Sequence, residues 1–273
     1  MTTTTLAIVA DLHVNSTVGL CTPVVNLDDG GTYHASPSQR WLHSCWLDFC
    51  EKVKASPGRK VAIINGDLGE LDIKRRSYQL VSPNKATIVS LVLDVLSPLI
   101  EVVDQVYVMR GTAAHTGKSS WLEEAIAQDI ITAVHSPEAA SWWHIRAKVE
   151  DVRLDVAHHA SMGGLPWTAK NAANKLAAET IFTYAEEYQQ PAPHLVIRSH
   201  NHRKADSYNN FSVRTIFTPA WCLPTENEMR NGKYNQRADN GGTLITCQDG
   251  QYTYNGPVLY RPAESKRLWR LKM

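Results

Sequence analysis

Short apolar runs that end in polar residues recur along the chain. Runs of four to five apolar residues rich in Val and Ile are typical of buried strands whose side chains are covered on both faces. The runs are LAIVA before Asp11, VAIIN before Gly66-Asp67, QVYVM before Arg110-Gly111, LDVA before His158-His159 and HLVIR before Ser199-His200. They predict a sheet core whose strands lead into several polar loops.

Helical periodicity fills the segments between these runs. From Ser38 to Val53, a segment that opens with a serine suited to cap it, apolar residues recur at spacings of three and four: Trp41, Leu42, Cys45, Trp46, Phe49 and Cys50. Similar periodicity extends from Asn84 to Val103 and from Thr168 to Tyr188. Strands that alternate with helices predict an α/β layered sandwich.

The C-terminal part predicts a hairpin, because TLITCQDGQYTY alternates around Asp249-Gly250. No internal repeat, low-complexity segment or linker divides the chain. We therefore expect one domain over residues 1–273, with the hairpin and tail of about 241–273 packed on it. The irregular stretches 14–37 and 221–240 are expected to form loops that shape a pocket.

Composition limits the function classes. Lys and Arg number 28 against 27 Asp and Glu, so a net charge of +1 gives no global attraction to nucleic acid or to an anionic membrane, and any affinity for phosphate must be local. Five cysteines without a Cys-x-x-Cys pair favour a reducing, cytoplasmic setting. The N-terminus lacks the basic region of a signal peptide, and charges and a proline interrupt the longest apolar region. We expect a soluble protein with no membrane contact.

Residues with metal-ligand chemistry follow the predicted strands. They are Asp11 and His13, then Asp67, then His115, then His158 or His159, then His200 and His202. Open α/β sheets place ligand sites at the carboxyl ends of their strands. Carboxylates and neutral imidazoles suit Mn²⁺, Fe and Zn²⁺, and one Asp can bridge two ions about 3.5–4 Å apart, for which Asp67 is the candidate. The absence of cysteine from this set argues against a structural zinc site.

In this order the motifs resemble those of the calcineurin-like metallophosphoesterase family. The corresponding blocks are Asp11-Leu12-His13, Gly66-Asp67, Gly111 to His115, His158, and Ser199-His200-Asn201-His202, within roughly residues 5–220. The third block, RGTAAHTGKS, and the later TPAW are most similar to members encoded in phage and prophage genomes. The resemblance implies a four-layer αββα sandwich, in which two mixed sheets pack face to face between helices.

The resemblance also implies two divalent transition-metal ions (Mn, Fe, Ni or Zn, with Mn favoured in vitro). By position, Asp11, His13 and His202 are ligands of the first ion, Asp67 is the bridge, and His158 and His200 are ligands of the second. His159 is the alternative to His158, which is favoured because it shares the alternation face of Leu154 and Val156.

The third block departs from the family. Thr112 and Ala113 stand where the family has an Asn that ligates the second metal and a His that contacts the leaving group, and a histidine appears only at His115. Either the loop is rearranged so that His115 acts as acid or ligand, or the second site is weakened. Ser199 also replaces a Gly of the last block.

The expected reaction is hydrolysis of a phosphate ester by a hydroxide that bridges two metal ions, with Asp67 essential and His115 protonating the leaving oxygen. Arg203, Arg110 and Thr112 are the predicted substrate-binding residues. The first hypothesis is a phosphodiesterase whose partner is nucleic acid or a nucleotide, and the second is a phosphomonoesterase. The alternative of another class is a non-catalytic scaffold that retains the fold.

Basic and aromatic residues near the motifs supply further candidates. Lys74-Arg75-Arg76, Lys118 and Lys204 would make the strand-end face basic, although the first three also fit a solvated loop. Trp167 and Trp221 either stack on a base or simply line the pocket.

Overall fold

The computed structural model of the chain describes residues 2–71, 79–160, 168, 171–224 and 238–262. The Lys74-Arg75-Arg76 run and Trp167 lie outside these residues, so their predicted roles stay predictions. Where the chain is described, no helix combines the length and the apolar character that a membrane span requires.

The first sheet is mixed. Its strands are β1 (Thr3–Val9), β4 (Arg59–Asn65), β5 (Gln105–Met109), β11 (Asn240–Gln248), β12 (Gln251–Thr253) and β13 (Val258–Tyr260). The order is β12-β11-β1-β4-β5, and β13 also pairs with β11. Strands β1, β4 and β5 are parallel, whereas β11 is antiparallel to β1 and forms the predicted hairpin with β12.

The second sheet is also mixed, and a short two-stranded hairpin, which comes before the first described helix in the chain, belongs to neither sheet. The second sheet contains β6 (His144–Val149), β7 (Val152–Ala157), β8 (Leu195–Arg198), β9 (Ala205–Asp206) and β10 (Arg214–Phe217), in the order β6-β7-β8-β10-β9. Its central strands β7, β8 and β10 are parallel. The separate hairpin pairs β2 (Val24–Asn26) with β3 (Thr32–His34).

Five α-helices lie in the described part of the chain: α1 (Pro37–Lys54), α2 (Lys85–Ile100), α3 (Ala113–Thr116), α4 (Trp121–Asp129) and α5 (Ala172–Thr183), the last followed by a π-helical turn over Tyr184–Tyr188. Helix α1 is capped by Ser36 rather than by Ser38. Ser36 and Gln39 form a reciprocal capping box, and Pro37 occupies the first turn, where a missing N–H costs nothing.

Alternation along β1 shows how the layers pack. Leu6 and Ile8 join a buried cluster with residues of the second sheet, including Ile197, whereas Ala7 and Val9 join the cluster that contains the buried residues of α1, α2 and α4. Helix α5 covers the outer face of the second sheet, where Ala173 packs with Phe217. The layers are therefore helices, sheet, sheet and helices, which confirms the predicted αββα sandwich.

Trp221 belongs to the core rather than to a pocket wall. Its side chain is fully buried, and its ring meets that of Trp46 edge-on with centroids 5.0 Å apart. The predicted stacking role for Trp221 is therefore wrong, because no base could reach the ring.

Candidate metal centre

The carboxyl ends of strands from both sheets meet at one edge of the sandwich. Asn65, the last residue of β4, donates its side-chain N–H to Ser199 Oγ (2.6 Å) and to the carbonyl of Ala157 (3.2 Å) at the ends of β8 and β7. His158 Nδ1 in turn donates to the Asn65 carbonyl (2.6 Å). These bonds hold the two sets of strand-end loops against each other.

Most of the predicted ligands adopt a left-handed backbone. The φ angles are 53° at Asp11, 44° at His13, 53° at Asp67, 71° at His200 and 55° at His202. Each costs a non-glycine residue about 1 kcal/mol or more, and such strain clusters at functional sites. Tertiary hydrogen bonds hold it in place: the backbone N–H of Asp11 donates to the Gly66 carbonyl (3.0 Å) and that of His13 to the Asp67 carbonyl (3.1 Å).

We define the first lobe as Asp11, His13 and His202. His202 Nε2 lies 3.1 Å from His13 Nε2 and 3.5 Å from Asp11 Oδ1, so the three donor atoms face one point. The opposite ring nitrogens are occupied: His13 Nδ1 lies 3.1 Å from Glu70 Oε2, and His202 Nδ1 lies 3.4 Å from Cys222 Sγ. Such contacts to the far side of an imidazole orient it as a ligand.

We define the second lobe as Asp67, His158, His159 and His200. Asp67 Oδ2 lies 3.1 Å from His158 Nε2 and 3.9 Å from His200 Nδ1. His158 is buried and His159 is exposed, but both imidazoles contact the same group, with ring centroids 4.7 Å apart. The structure therefore brings both members of the predicted alternative into the second lobe. Asp11 Oδ1, at 4.0 Å from His158 Nε2, links the two lobes.

Thr112 is the first residue at which the third block differs from the family pattern, and it lies inside the second lobe. Its backbone N–H donates to Asp67 Oδ1 (2.5 Å), and its hydroxyl donates to Asp67 Oδ2 (3.1 Å). The same hydroxyl oxygen lies 3.2 Å from both His159 Nε2 and His200 Nδ1. Thr112 therefore contacts candidate metal ligands directly.

His115 reaches the first lobe instead, from the short helix α3. Its Nδ1 lies 2.7 Å from Glu70 Oε2, and its ring meets that of His13 edge-on with centroids 4.7 Å apart. This position shows where the loop carries His115, and both interpretations of the block, a rearranged loop and a weakened second site, stay predictions.

Burial and mutual charge set the protonation of the centre. Burial raises the pKa of Asp67, but hydrogen bonds from His158 and His200 outweigh it and hold the pKa well below its usual range. Burial lowers the pKa of His158, but its contact with Asp67 outweighs this and raises the pKa to about 9. The pKa of Asp11 is likewise lowered and that of His202 raised, because the effect of burial is again outweighed by nearby charges and hydrogen bonds. Buried carboxylates thus balance positive charge carried on imidazoles, a charge that cations would replace.

The residues fit divalent transition-metal ions. Asp11 Oδ1 and His158 Nε2 are buried, and the polar atoms nearest to them belong to other candidate ligands: His158 Nε2 lies 3.1 Å from Asp67 Oδ2, and Asp11 Oδ1 lies 3.5 Å from His202 Nε2. Close packing leaves no room for side chains beside them: a Cβ at Gly66 would lie 2.5 Å from His158 Nδ1, and one at Gly111 would lie 2.2 Å from the Asp67 nitrogen. Carboxylate oxygens and imidazole nitrogens are donors that Mn²⁺, Fe and Zn²⁺ accept.

The predicted substrate-binding arginines differ in their surroundings. Arg110 donates to Ser141 Oγ (2.8 Å) and to Glu124 Oε2 (3.2 Å), so its charge is neutralised inside the protein. Arg203 is partly exposed and forms no ion pair with another described residue. Lys118, just after α3, is exposed. Arg203 and Lys118 therefore remain available to an anion, whereas Arg110 is committed elsewhere.

Sequence reasoning missed three groups beside the centre: Glu70, Cys222 and Glu123. Glu70 follows Asp67 by three residues, and this nearness to a predicted ligand is the one feature of the sequence that could have indicated its place in the centre. Glu123 lies in α4 behind Gly111, where burial, and then the charge of Asp67, raise its pKa to about 8. Neither Glu123 nor Cys222 follows a predicted strand together with a recognised motif, so nothing in the sequence marked them.

No protein-family model matches the chain, and no curated protein sequence matches it. Among solved structures, it is similar to a dimetal phosphatase from Danio rerio, at 10% identity and a TM-score of 0.44 over 93% of this chain and 95% of that chain. It is similar to a single mutant of Vps29 from Entamoeba histolytica, at 10% identity and a TM-score of 0.41 over 94% and 99%. It is similar to a 5'-nucleotidase precursor from Thermus thermophilus, at 9% identity and a TM-score of 0.41 over 94% and 54%. These likenesses are low and assign no function to the chain.

Proposed function

We propose that the protein is a metal-dependent phosphoesterase that holds two divalent transition-metal ions, with Mn²⁺ as the ion to load first in vitro. The observation that supports this proposal is the convergence of buried carboxylate oxygens and imidazole nitrogens from separate strand-end loops into two adjacent lobes. A scaffold without metal would have no need for several ionisable side chains buried together, because burying such groups costs free energy.

Two ions bound in the lobes would supply Lewis-acid activation of a water nucleophile and would neutralise charge on the phosphoryl oxygens. The chain provides the alignment. Asp67 Oδ1 is fixed by the Thr112 N–H, which directs Oδ2 toward the second lobe. His158 is fixed through Nδ1 by the Asn65 carbonyl, so its Nε2 faces the same carboxylate, at 3.1 Å from Asp67 Oδ2.

His115 is our candidate for delivering a proton to the leaving oxygen. Its Nδ1 is held by Glu70, which leaves Nε2 as the nitrogen that can donate. The side chain is 25% exposed, so a substrate can reach it. Glu70 also holds His13, and it therefore couples the orientation of the acid to that of a metal ligand.

The substrate class that we propose is a phosphodiester of nucleic acid or a nucleotide. The second lobe is open, since His159 is exposed and the His200 side chain is 38% exposed. Arg203 directly follows His202 of the first lobe, and Lys118 follows α3, so both bring positive charge next to residues of the centre along the chain. An open second lobe leaves room for an ester group on each side of the phosphorus, as a diester requires.

The test is hydrolysis of bis(p-nitrophenyl) phosphate against p-nitrophenyl phosphate by Mn²⁺-loaded protein. We expect turnover of the diester, and we expect Asp67→Asn to abolish it while Asp94→Asn, a change of the same kind at an exposed position, leaves it intact. Faster turnover of the monoester would contradict the diesterase assignment and favour a phosphomonoesterase. Full activity in Asp67→Asn would disprove the dinuclear assignment.

A further inference from the structure

We propose that His159 is a ligand of the second metal ion, so that the second lobe is a site of three histidines and one aspartate. The proposal rests on the proposed function only in requiring that this lobe bind a divalent ion. It replaces the choice between His158 and His159 by the use of both.

The imidazoles of the second lobe form a closed triangle. Ring centroids are 4.7 Å apart for His158 and His159, 4.9 Å for His159 and His200, and 5.3 Å for His158 and His200. One ligand atom from each histidine can be chosen so that all lie within 4.8 Å of one another. A small contraction would bring these atoms to the separations found around one ion, whose bonds to imidazole nitrogen are about 2.0–2.1 Å long.

The Thr112 hydroxyl marks the point that these donors face. Asp67 Oδ2, His159 Nε2 and His200 Nδ1 lie 3.1, 3.2 and 3.2 Å from its oxygen. When the hydroxyl donates its single proton to Asp67, the two imidazole nitrogens can contact the same oxygen only by donating N–H hydrogen bonds to its lone pairs. Two nitrogens and one carboxylate oxygen from three separate loops therefore aim at one small region.

The placement of His159 is not explained by ordinary packing. His158 and His159 are consecutive after β7, and consecutive side chains of an extended segment point to opposite faces. The backbone nevertheless places both imidazoles in one lobe, although His159 is exposed and adds nothing to the core. An exposed imidazole held close to two other imidazoles is expected where the lone pairs of all three rings bind one cation.

The second lobe would then differ from the first in its preferred ion. Three imidazoles and one carboxylate form a nitrogen-rich set, which favours Zn²⁺ over Mn²⁺ more strongly than a set with fewer imidazoles does. We expect Zn²⁺ to enter the second lobe before the first.

The direct test uses the wild-type protein and Zn²⁺ alone. Long-range ¹H–¹⁵N correlation spectra of ¹⁵N-labelled protein would follow the imidazole nitrogens during titration. We expect the His159 Nε2 resonance to shift together with those of His158 and His200 as the first ion binds. An unshifted His159 in protein that has bound two ions would overturn this inference and leave the proposed function standing, whereas failure to bind any ion would overturn both.

A variant pair gives a second, independent measurement. His159→Ala is compared with His34→Ala, which removes an exposed histidine from the β2–β3 hairpin, outside every candidate metal group. Calorimetric titration with Zn²⁺ should show the second-lobe affinity reduced at least about tenfold in His159→Ala. The other ion should bind as in wild type, and His34→Ala should match wild type at both. Equal affinities in His159→Ala and wild type would contradict the proposal.

Discussion

The two lobes of the candidate centre are built from similar side chains but enclosed in different ways. In the first lobe, Asp11 and His13 are buried, and Glu70 and Cys222 occupy the far nitrogens of its two imidazoles. In the second lobe, His158 is buried, but His159 and His200 reach solvent, and Thr112 stands among the donors.

Under the proposed function, this difference would give the two lobes different tasks. A closed lobe with oriented ligands holds an ion with little freedom, because contacts behind each ligand fix its ring. An open lobe leaves room for an outside molecule, and catalytic metal sites keep such an open position. We therefore infer that substrate approaches from the second lobe, and the following experiments would break or sharpen that comparison.

The largest effect is expected from Gly66→Ala, whose added Cβ would collide with the second lobe. The added Cβ would lie 2.5 Å from His158 Nδ1 and would displace that ring. Gly30→Ala is a matched control, since both glycines have φ of 83° and nothing lies within 4 Å of a Cβ at Gly30. The control should lose about 1–2 kcal/mol of stability from backbone strain.

Gly66→Ala should lose about 1–3 kcal/mol more than this control, together with tight binding of the second ion. Denaturant unfolding measures the first quantity and calorimetric titration with Zn²⁺ the second. If both variants bind two ions equally well, the close fit around His158 does not define the second lobe.

A smaller effect is expected from Glu70→Gln, which acts on the first lobe and on His115 together. A neutral amide oxygen accepts weaker hydrogen bonds than an ionised carboxylate oxygen. The contacts that Glu70 makes with His13 and His115 would therefore weaken. We expect the affinity of the first lobe for Mn²⁺ to fall about 10- to 100-fold, with a lower kcat for the diester. Glu101→Gln, at an exposed position, serves as the control, and an unchanged first-lobe affinity would remove Glu70 from the centre.

A carboxylate outside the centre provides a reference for the buried acids within it. Asp155 is held by His144 Nε2 (2.8 Å) and Arg198 Nη2 (2.7 Å), so protein groups satisfy it without a cation. Burial raises its pKa, but the hydrogen bond with His144 and the charge of Arg198 outweigh it and hold the pKa at about 2. A lowered pKa stabilises the fold above the unfolded pKa near 3.9, and this stability is lost as pH falls toward 2.

The wild type should therefore lose about 2 kcal/mol relative to Asp155→Asn between pH 5 and pH 2. Denaturant unfolding of the metal-free proteins across this range measures the difference between the two pH profiles. Parallel profiles would show that the ionised carboxylate contributes nothing.

The smallest effect is expected at Cys222, which contacts His202 from behind the first lobe. Cys222→Ala removes the sulfur 3.4 Å from His202 Nδ1, and we expect first-lobe affinity for Mn²⁺ to fall about fivefold. Cys222→Ser should lose less, because a hydroxyl can still contact the ring nitrogen. Cys247→Ala, a buried cysteine of the inter-sheet core, should change stability but not metal affinity. Equal metal affinity in all three variants would show that the sulfur does not orient His202.

The hydrophobic pattern of the sequence predicted which segments form strands and helices better than it predicted where each helix ends. The apolar runs became β1, β4, β5, β7 and β8, because a strand buried on both faces needs apolar residues at every position. Helix α2 was predicted to continue to Val103 but ends at Ile100, two residues after Pro98, whose ring removes a backbone donor. Helix α5 spans Ala172–Thr183, and the π-helical turn after it reaches Tyr188, the predicted end of this helical segment.

The sequence by itself determined which donors stand at the strand ends, since parallel strands bring their carboxyl ends to one edge and polar residues directly after them must meet there. Asp11, Asp67 and His200 are examples. Only the tertiary structure decided what surrounds those donors. Glu124 neutralises Arg110, Cys222 supports His202, and His159 joins His158, because each contact depends on how loops fold against one another and no local periodicity encodes it.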